Sequence, residues 1–173
     1  VMLHGYTSAQ GDLNVRKAMA DYITNNFNIT ADADLIYMTC GAAASLTVTL
    51  NAICNNGDEV IVLAPFFPEY KVFIEKAGAS AVVVKCREED FQIDFDILSA
   101  AINSNTKAII VNSPNNPCGV VLNEDTIKKL ADLLNEKSKE LGNDIYIIAD
   151  EPYRELVYGD IKVPYIPEYY DNT

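Results

Sequence analysis

The sequence predicts an α/β fold: a mainly parallel sheet with helices on both faces, in three layers. Three observations lead to it. Apolar runs such as Val60-Ile61-Val62-Leu63-Ala64 lack the alternation of a half-exposed strand, as expected where both sheet faces are covered. The stretches between such runs carry apolar residues at helical spacing. Strand and helix patterns alternate along the chain, which is the signature of parallel βαβ units.

The elements follow in order. Asp12 is placed to cap a first helix whose apolar positions Val15, Met19, Tyr22, Ile23 and Phe27 follow the 3.6-residue period. Leu35 to Thr39 reads as a short strand. Gly41 opens a second helix with Leu46, Leu50, Ile53 and Cys54 on one face, ended by Asn55-Asn56-Gly57. Glu59 to Ala64 is a buried strand. Glu69 to Lys76 is a helix stopped by Gly78, Ala81 to Cys86 a strand, and Asp94 to Ile102 a helix after an acidic loop. Lys107 to Asn112 is another buried strand. Asn123 caps a long helix, with Glu124 and Asp125 where the helix dipole favours anions, and Leu141-Gly142 closes it. Ile145 to Ala149 is the fifth strand, and the chain has no internal repeat.

Composition narrows the function classes. The 173 residues are 49% hydrophobic and 22% charged, with apolar residues spread throughout, which suits one folded domain and excludes a disordered chain. Lysine and arginine total 13 against 25 acidic residues, a net charge of −12 that repels phosphodiester backbones. The one basic cluster, Ile127 to Lys139, is interleaved with Asp132 and Glu136 as on a solvated helix face, so nucleic acid is not an expected partner. No run approaches the ~20 apolar residues of a membrane helix, and Val1-Met2-Leu3-His4 lacks the blocks of a signal peptide. Four widely spaced cysteines without a C-x-x-C pair suggest reduced thiols in a cytoplasmic protein. A single histidine, His4, leaves no basis for a histidine-built metal site or a Ser-His-Asp triad, and no metal is expected. Two oddities concern length: the chain starts without an initiator methionine, and Tyr169 to Thr173 does not resemble a natural tail.

In an open parallel sheet, ligands bind beyond the carboxyl ends of the strands. The turns there are Cys40-Gly41-Ala42-Ala43, Pro65-Phe66-Phe67-Pro68-Glu69-Tyr70, Ser113 to Gly119, and Asp150-Glu151-Pro152-Tyr153. Gly41 and the small residues after it either make a tight turn or let helix-start amides meet an anion. Phe66 and Phe67 either fill the core or offer a ring face to a planar ligand. Asn115-Asn116-Pro117 holds an amide beside a proline, with a cis bond open to it. Asp150 follows an apolar strand, where an ionised carboxylate is costly unless paired. Its partner is either Arg154 or a cationic ligand group such as a protonated ring nitrogen, and Tyr153 can bring a hydroxyl to the same pocket. Together these turns suit a phosphorylated aromatic heterocycle with a basic nitrogen.

These motifs, in this order, resemble the large domain of the fold-type I pyridoxal-phosphate enzymes, specifically the class I/II aminotransferases similar to aspartate aminotransferase. The landmarks are Tyr6-Thr7-Ser8-Ala9-Gln10-Gly11 followed by Arg16, then Gly41-Ala42-Ala43, Pro65-Phe66-Phe67, Asn112 to Gly119, and Asp150-Glu151-Pro152-Tyr153. The resemblance covers essentially residues 1–173 and implies part of a cofactor-binding large domain. By resemblance, the cofactor pyridoxal 5'-phosphate would meet the amides of Gly41, Ala42 and Ala43 through its phosphate and stack on Phe67. Asn116 and Tyr153 would hydrogen-bond its 3-oxygen, and Asp150 would keep its ring nitrogen protonated so that the ring can accept electrons. Tyr6 matches a residue that reaches the neighbouring subunit's phosphate, which implies a homodimer. Pro65 and Pro117 match positions that are often cis.

Two departures stand out. The usual Asn-Pro-Thr-Gly reads Asn116-Pro117-Cys118-Gly119, a change of similar size that the turn should survive, and Cys118 has no base to make it a nucleophile. No lysine here matches the family's Schiff-base lysine, so no catalytic residue is assigned, and the chain by itself is expected to be inactive. The small domain, an N-terminal segment and some strands of the family sheet are also absent from this stretch. The implied reaction moves an amino group between an amino acid and a 2-oxo acid. A carbon-sulfur lyase or cyclase using the same pocket, or the ligand-sensing domain of a transcription regulator, are the alternatives. A nucleotide-binding α/β domain is disfavoured by the missing phosphate-loop motifs.

Overall fold

The structure, a computed structural model, describes residues 5–173. Val1 to His4, and with them the readings of the first residues and of the single histidine, lie outside the described residues. The chain divides into two compact units, residues 1–45 and 46–173.

The second unit carries the sheet. Its strands β1 (Glu59–Ala64), β2 (Ser80–Lys85), β3 (Thr106–Asn112) and β4 (Tyr146–Asp150) are all parallel, in the order β2-β1-β3-β4. Between them run α3 (Glu69–Lys76), α4 (Phe95–Ala101) and α5 (Glu124–Leu141), after α1 (Leu13–Asn26) and α2 (Ala42–Ile53) earlier in the chain. Side chains alternate across a strand, and here each face finds its own cover. Val60, Val62, Ala108 and Ile110 pack with Leu46 and Leu50 of α2 and Tyr70 and Ile74 of α3. Ile61, Leu63, Ile109 and Val111 pack with Leu98 of α4 and Ile127, Leu130, Ala131 and Leu134 of α5. Two cores on opposite faces of one sheet make the predicted three layers.

The cap predicted at Asn123 forms, and Asp94, at the start of its predicted helix, caps as well. The Asn123 side chain accepts from the Thr126 amide at 2.8 Å, and Asp94 accepts from the Asp96 and Ile97 amides at the start of α4. Gly142 ends α5 at φ 73°, a left-handed conformation that suits glycine. The Ile147 amide is bonded by Asn172 O at 2.8 Å, and the Tyr170 hydroxyl donates to Ile145 O at 2.5 Å with its ring buried. The segment that does not read as a tail thus packs against β4.

One expected strand is corrected. Leu35 to Thr39 is not a strand, so the sheet has four strands, not five. The Asp32 carboxylate accepts from the Asp34 amide at 2.8 Å and winds Ala33–Leu35 into a 3-10 turn. Beyond it, Met38 N–H to Gln10 O is an isolated backbone bond, and Leu35 and Tyr37 are 80% and 65% exposed, so the run has neither ladder nor buried face. In this first unit Asp12 caps α1, and the buried Arg16 guanidinium donates to Ala33 O at 2.6 Å, tying the turn to the helix. Among the described residues no helix is long and apolar enough to cross a membrane.

Leu134 is fully buried between α5 and the sheet. Leu134→Ala is expected to lower the unfolding free energy by about 2–5 kcal/mol, and Asn123→Ala by about 1 kcal/mol, both read from urea midpoints at constant slope.

Candidate functional site

β1, β3 and β4 end side by side, and their following turns are stitched together. The Asn115 amide donates to Pro65 O at 3.3 Å, joining the β1 turn to the β3 turn. Asn112, the last residue of β3, stands in register with Asp150, the last of β4. Its side-chain nitrogen donates to Asp150 O at 2.8 Å and its side-chain oxygen accepts from the Asn116 amide at 2.6 Å. The Ala64–Pro65 and Asn116–Pro117 bonds are cis, as expected, and Ser113–Pro114 is cis as well.

The half-buried Asp150 carboxylate is held by a residue to which the sequence reading gave no role. The hydroxyl of Tyr70, from α3, donates to Asp150 Oδ2 at 2.5 Å. Burial foremost, then the bond to Asp150 and the nearby acidic groups, holds the Tyr70 hydroxyl far above its ordinary pKa, so it stays a donor. Arg154, the bland candidate for that partner, instead forks onto Glu151 through Nε and Nη2, donates to Val163 O and Pro164 O at 2.8 and 2.9 Å, and lies over the Tyr165 ring. It pairs with Glu151, the carboxylate next to Asp150 in the chain.

Phe67 is half-buried, its ring edge-on to that of Tyr70 at 5.7 Å between centroids. Phe66 lines a small cavity with Tyr70, Asn112 and Asn115. Asn116 and Tyr153, both half-buried, share the wall of an open cleft of about 350 Å³ with Pro117, Val121, Leu156 and Ile161. This second unit therefore brings Phe67, Asn116, Asp150 and Tyr153 to one rim. Tyr6, Gly41, Ala42 and Ala43 belong to the first unit. Tyr6 is fully exposed, and Gly41, at φ 89°, makes the turn into α2, whose first residues Ala42 and Ala43 are exposed. The Thr39 hydroxyl bonds Gly41 O at 3.1 Å and shares a 2.6 Å hydrogen bond with Ser45, which braces this helix start. First-turn amides point off a helix end and favour an anion.

The cysteine in the Asn-Pro-Cys-Gly turn serves the turn. Asn115 Oδ1 accepts both the Cys118 amide at 3.2 Å and the Cys118 thiol at 3.0 Å. Burial first, then Cys118 and Asp90, push the neighbouring Cys86 thiol up to about 11. All four cysteines are free. Among the described residues no cluster of three or more His, Cys, Asp or Glu could hold a metal ion.

Tyr70 and Asn112 stand in the strand-end turn and the landmark motif read from the sequence, but neither carried a role there. The available signals were a tyrosine in a strand-end turn and an asparagine closing an apolar strand, and neither names its partner.

The sequence profile of the family "Aminotransferase class I and II" matches residues 1–169. Among curated relatives, a probable N-acetyl-LL-diaminopimelate aminotransferase of Bacillus subtilis is 33% identical over 88% of this chain and 38% of its own length. The aspartate aminotransferase of Pyrococcus horikoshii is 32% identical over 91% of this chain and 39% of its own. The crystal structure of an aminotransferase from Eubacterium rectale superposes with a TM-score of 0.96 at 56% identity, covering 98% of this chain and 43% of that one. The chain thus spans 38% and 39% of the length of those two curated relatives.

Tyr70→Phe removes the donor to a half-buried carboxylate and is expected to cost about 1.5–3 kcal/mol of stability, the range for hydrogen bonds to charged groups. A hydroxyl whose pKa is raised on folding contributes its stability in full below the unfolded value, near 10, and loses it as pH rises towards the folded one. The difference between the wild type and Tyr70→Phe should therefore narrow above about pH 10, as measured by urea unfolding at stepped pH. With iodoacetamide at about pH 8, the exposed Cys40 should be alkylated well before Cys86, as followed by mass spectrometry.

Proposed function

The chain belongs to the class I and II aminotransferases, and from that premise we propose that residues 1–173 form part of the cofactor-binding large domain of an enzyme that moves an amino group between an amino acid and a 2-oxo acid. The observation that carries this reading is the rim of the second unit, where Asp150, held by Tyr70, shares a strand-end face with Asn116, Tyr153 and Phe67. The family's enzymes depend on pyridoxal 5'-phosphate. The side chains present fit that group: a carboxylate for a ring nitrogen, an aromatic ring for a planar face, and an amide and a phenol for a ring oxygen. The exposed start of α2 suits a phosphate.

Each residue then has a task. Pyridoxal phosphate, when bound, supplies an electron sink for bonds breaking at the substrate's α-carbon. Asp150 would hold a proton on the ring nitrogen through its carboxylate, which the Tyr70 hydroxyl orients by its hydrogen bond. Phe67 would offer its ring to the cofactor's planar face. Asn116 and Tyr153 would donate to the 3-oxygen and so tune its charge. The amides of Gly41, Ala42 and Ala43 take the phosphate. By the family resemblance Tyr6 would reach the phosphate of a second subunit, which would make the working form a homodimer, and the reading places it in the cytoplasm. None of the lysines in this chain stands in the motif of the Schiff-base lysine, and the complete protein supplies it from outside residues 1–173. The similarity of the relatives named above, all aminotransferases, favours transfer over lyase chemistry.

In the complete protein, Asp150→Ala is expected to slow transamination by about 100-fold or more, the scale of losing one preorganised electrostatic partner. An unchanged rate would count decisively against the role given to Asp150. The chain 1–173 alone, treated with pyridoxal phosphate and borohydride, is expected to show no label on a specific lysine in a peptide map. Stoichiometric labelling of one lysine would overturn the assignment of that lysine to the rest of the protein.

A further inference from the structure

We infer that Asn112 is a positioning residue that sets the separation between the Asp150 strand end and the Asn116 loop. The inference rests on the proposed function, because it concerns the same pocket. Asn112 is only 7% exposed and uses both ends of its amide at once, donating to Asp150 O and accepting from the Asn116 amide. The bonds around it serve other purposes. Ser113 Oγ accepts from the Leu122 amide, and Asn115 binds Pro65 O and Cys118, so these residues hold the loop to its own far limb and to the β1 turn. Asn112 ties the loop to β4.

Asparagine suits the place chemically. A planar amide of this length offers donor hydrogens on its nitrogen and an acceptor at its oxygen, an ionised aspartate offers acceptors alone, and leucine offers neither. A cofactor gripped at a ring nitrogen by Asp150 and at a ring oxygen by Asn116 needs those two groups at a set distance. Fixing that distance before binding removes an ordering cost from the binding step. Asn112 therefore acts through Asp150 and Asn116 without touching the reacting atoms.

The test is the affinity of the complete protein for pyridoxal phosphate, measured by equilibrium dialysis between about pH 5 and pH 8 alongside urea unfolding. Asn112→Ala is expected to weaken binding about tenfold, the worth of one net hydrogen bond. Asn112→Asp is expected to bind weakly at the upper end, where its carboxylate faces Asp150 O, and to recover towards wild-type affinity as pH falls and the protonated acid regains a donor. Tyr70, Asp150, Cys86 and Cys118 are the titratable groups facing the position. The unchanged protein carries the same four groups and is measured at each pH as the reference. A folded Asn112→Ala with wild-type affinity, or an Asn112→Asp deficit that ignores pH, would overturn the inference. Should neither variant fold, the Asn116 amide of the unchanged protein is expected to be protected in hydrogen exchange, and exchange at the unprotected rate would overturn it instead. No binding by the unchanged protein would overturn the proposed function, and the inference with it.

Discussion

A half-buried carboxylate at the last rung of a parallel strand is costly unless something donates to it, and here the donor comes from beyond the neighbouring strand. Tyr70 sits on α3, which follows β1, while Asp150 closes β4, with β3 lying between the two strands. The 2.5 Å bond thus spans 80 residues of sequence and fixes the helix start to the strand end. Because the Tyr70 ring is buried in the core that also holds Val60, Val62 and Ile110, the hydroxyl cannot be withdrawn without disturbing that core. The position of the acid is therefore a property of the packed sheet, and the loops that carry Asn116 and Tyr153 are arranged around it.

Packing on both faces makes this possible. Alternate residues of β1 and β3 feed two separate cores, so neither strand can slip by one residue without exchanging its whole apolar set between them. A fixed register in turn fixes which residue stands last. Asn112 and Asp150 are paired across the final rung, and their polar side chains emerge where apolar cover ends.

Most of the fold was legible because most of its determinants are local. The caps at Asp12, Asp94 and Asn123 reach amides two or three residues away, and Gly142 closes α5 by its own φ. The unalternating runs of β1 and β3 announce burial on two faces. Leu35 to Thr39 misled because an apolar run becomes a strand only with a neighbour, and the competing signal, Asp32 capping a 3-10 turn, is equally local. The rim residues Phe67, Asn116, Asp150 and Tyr153 were legible from strand ends and resemblance together. Tyr70 and Asn112 were not, since their bonds cross 80 and 38 residues of chain. The Arg154 pairing failed for the opposite reason: Glu151, three residues away, is a nearer carboxylate than the one the site needs.

The clasp between Tyr170 and Ile145 has a consequence for how the rim is held. Their hydrogen bond joins positions 25 residues apart, and the Ile147 to Asn172 bond reinforces it. Asp150, Tyr153 and Arg154 all lie inside the circuit so formed. A segment closed at its base has already met most of its loop-closure entropy. Held at both ends, the segment carries Tyr153 on a tethered loop. Tyr170, remote from the rim in sequence, thereby helps to hold the base of the loop that carries Tyr153.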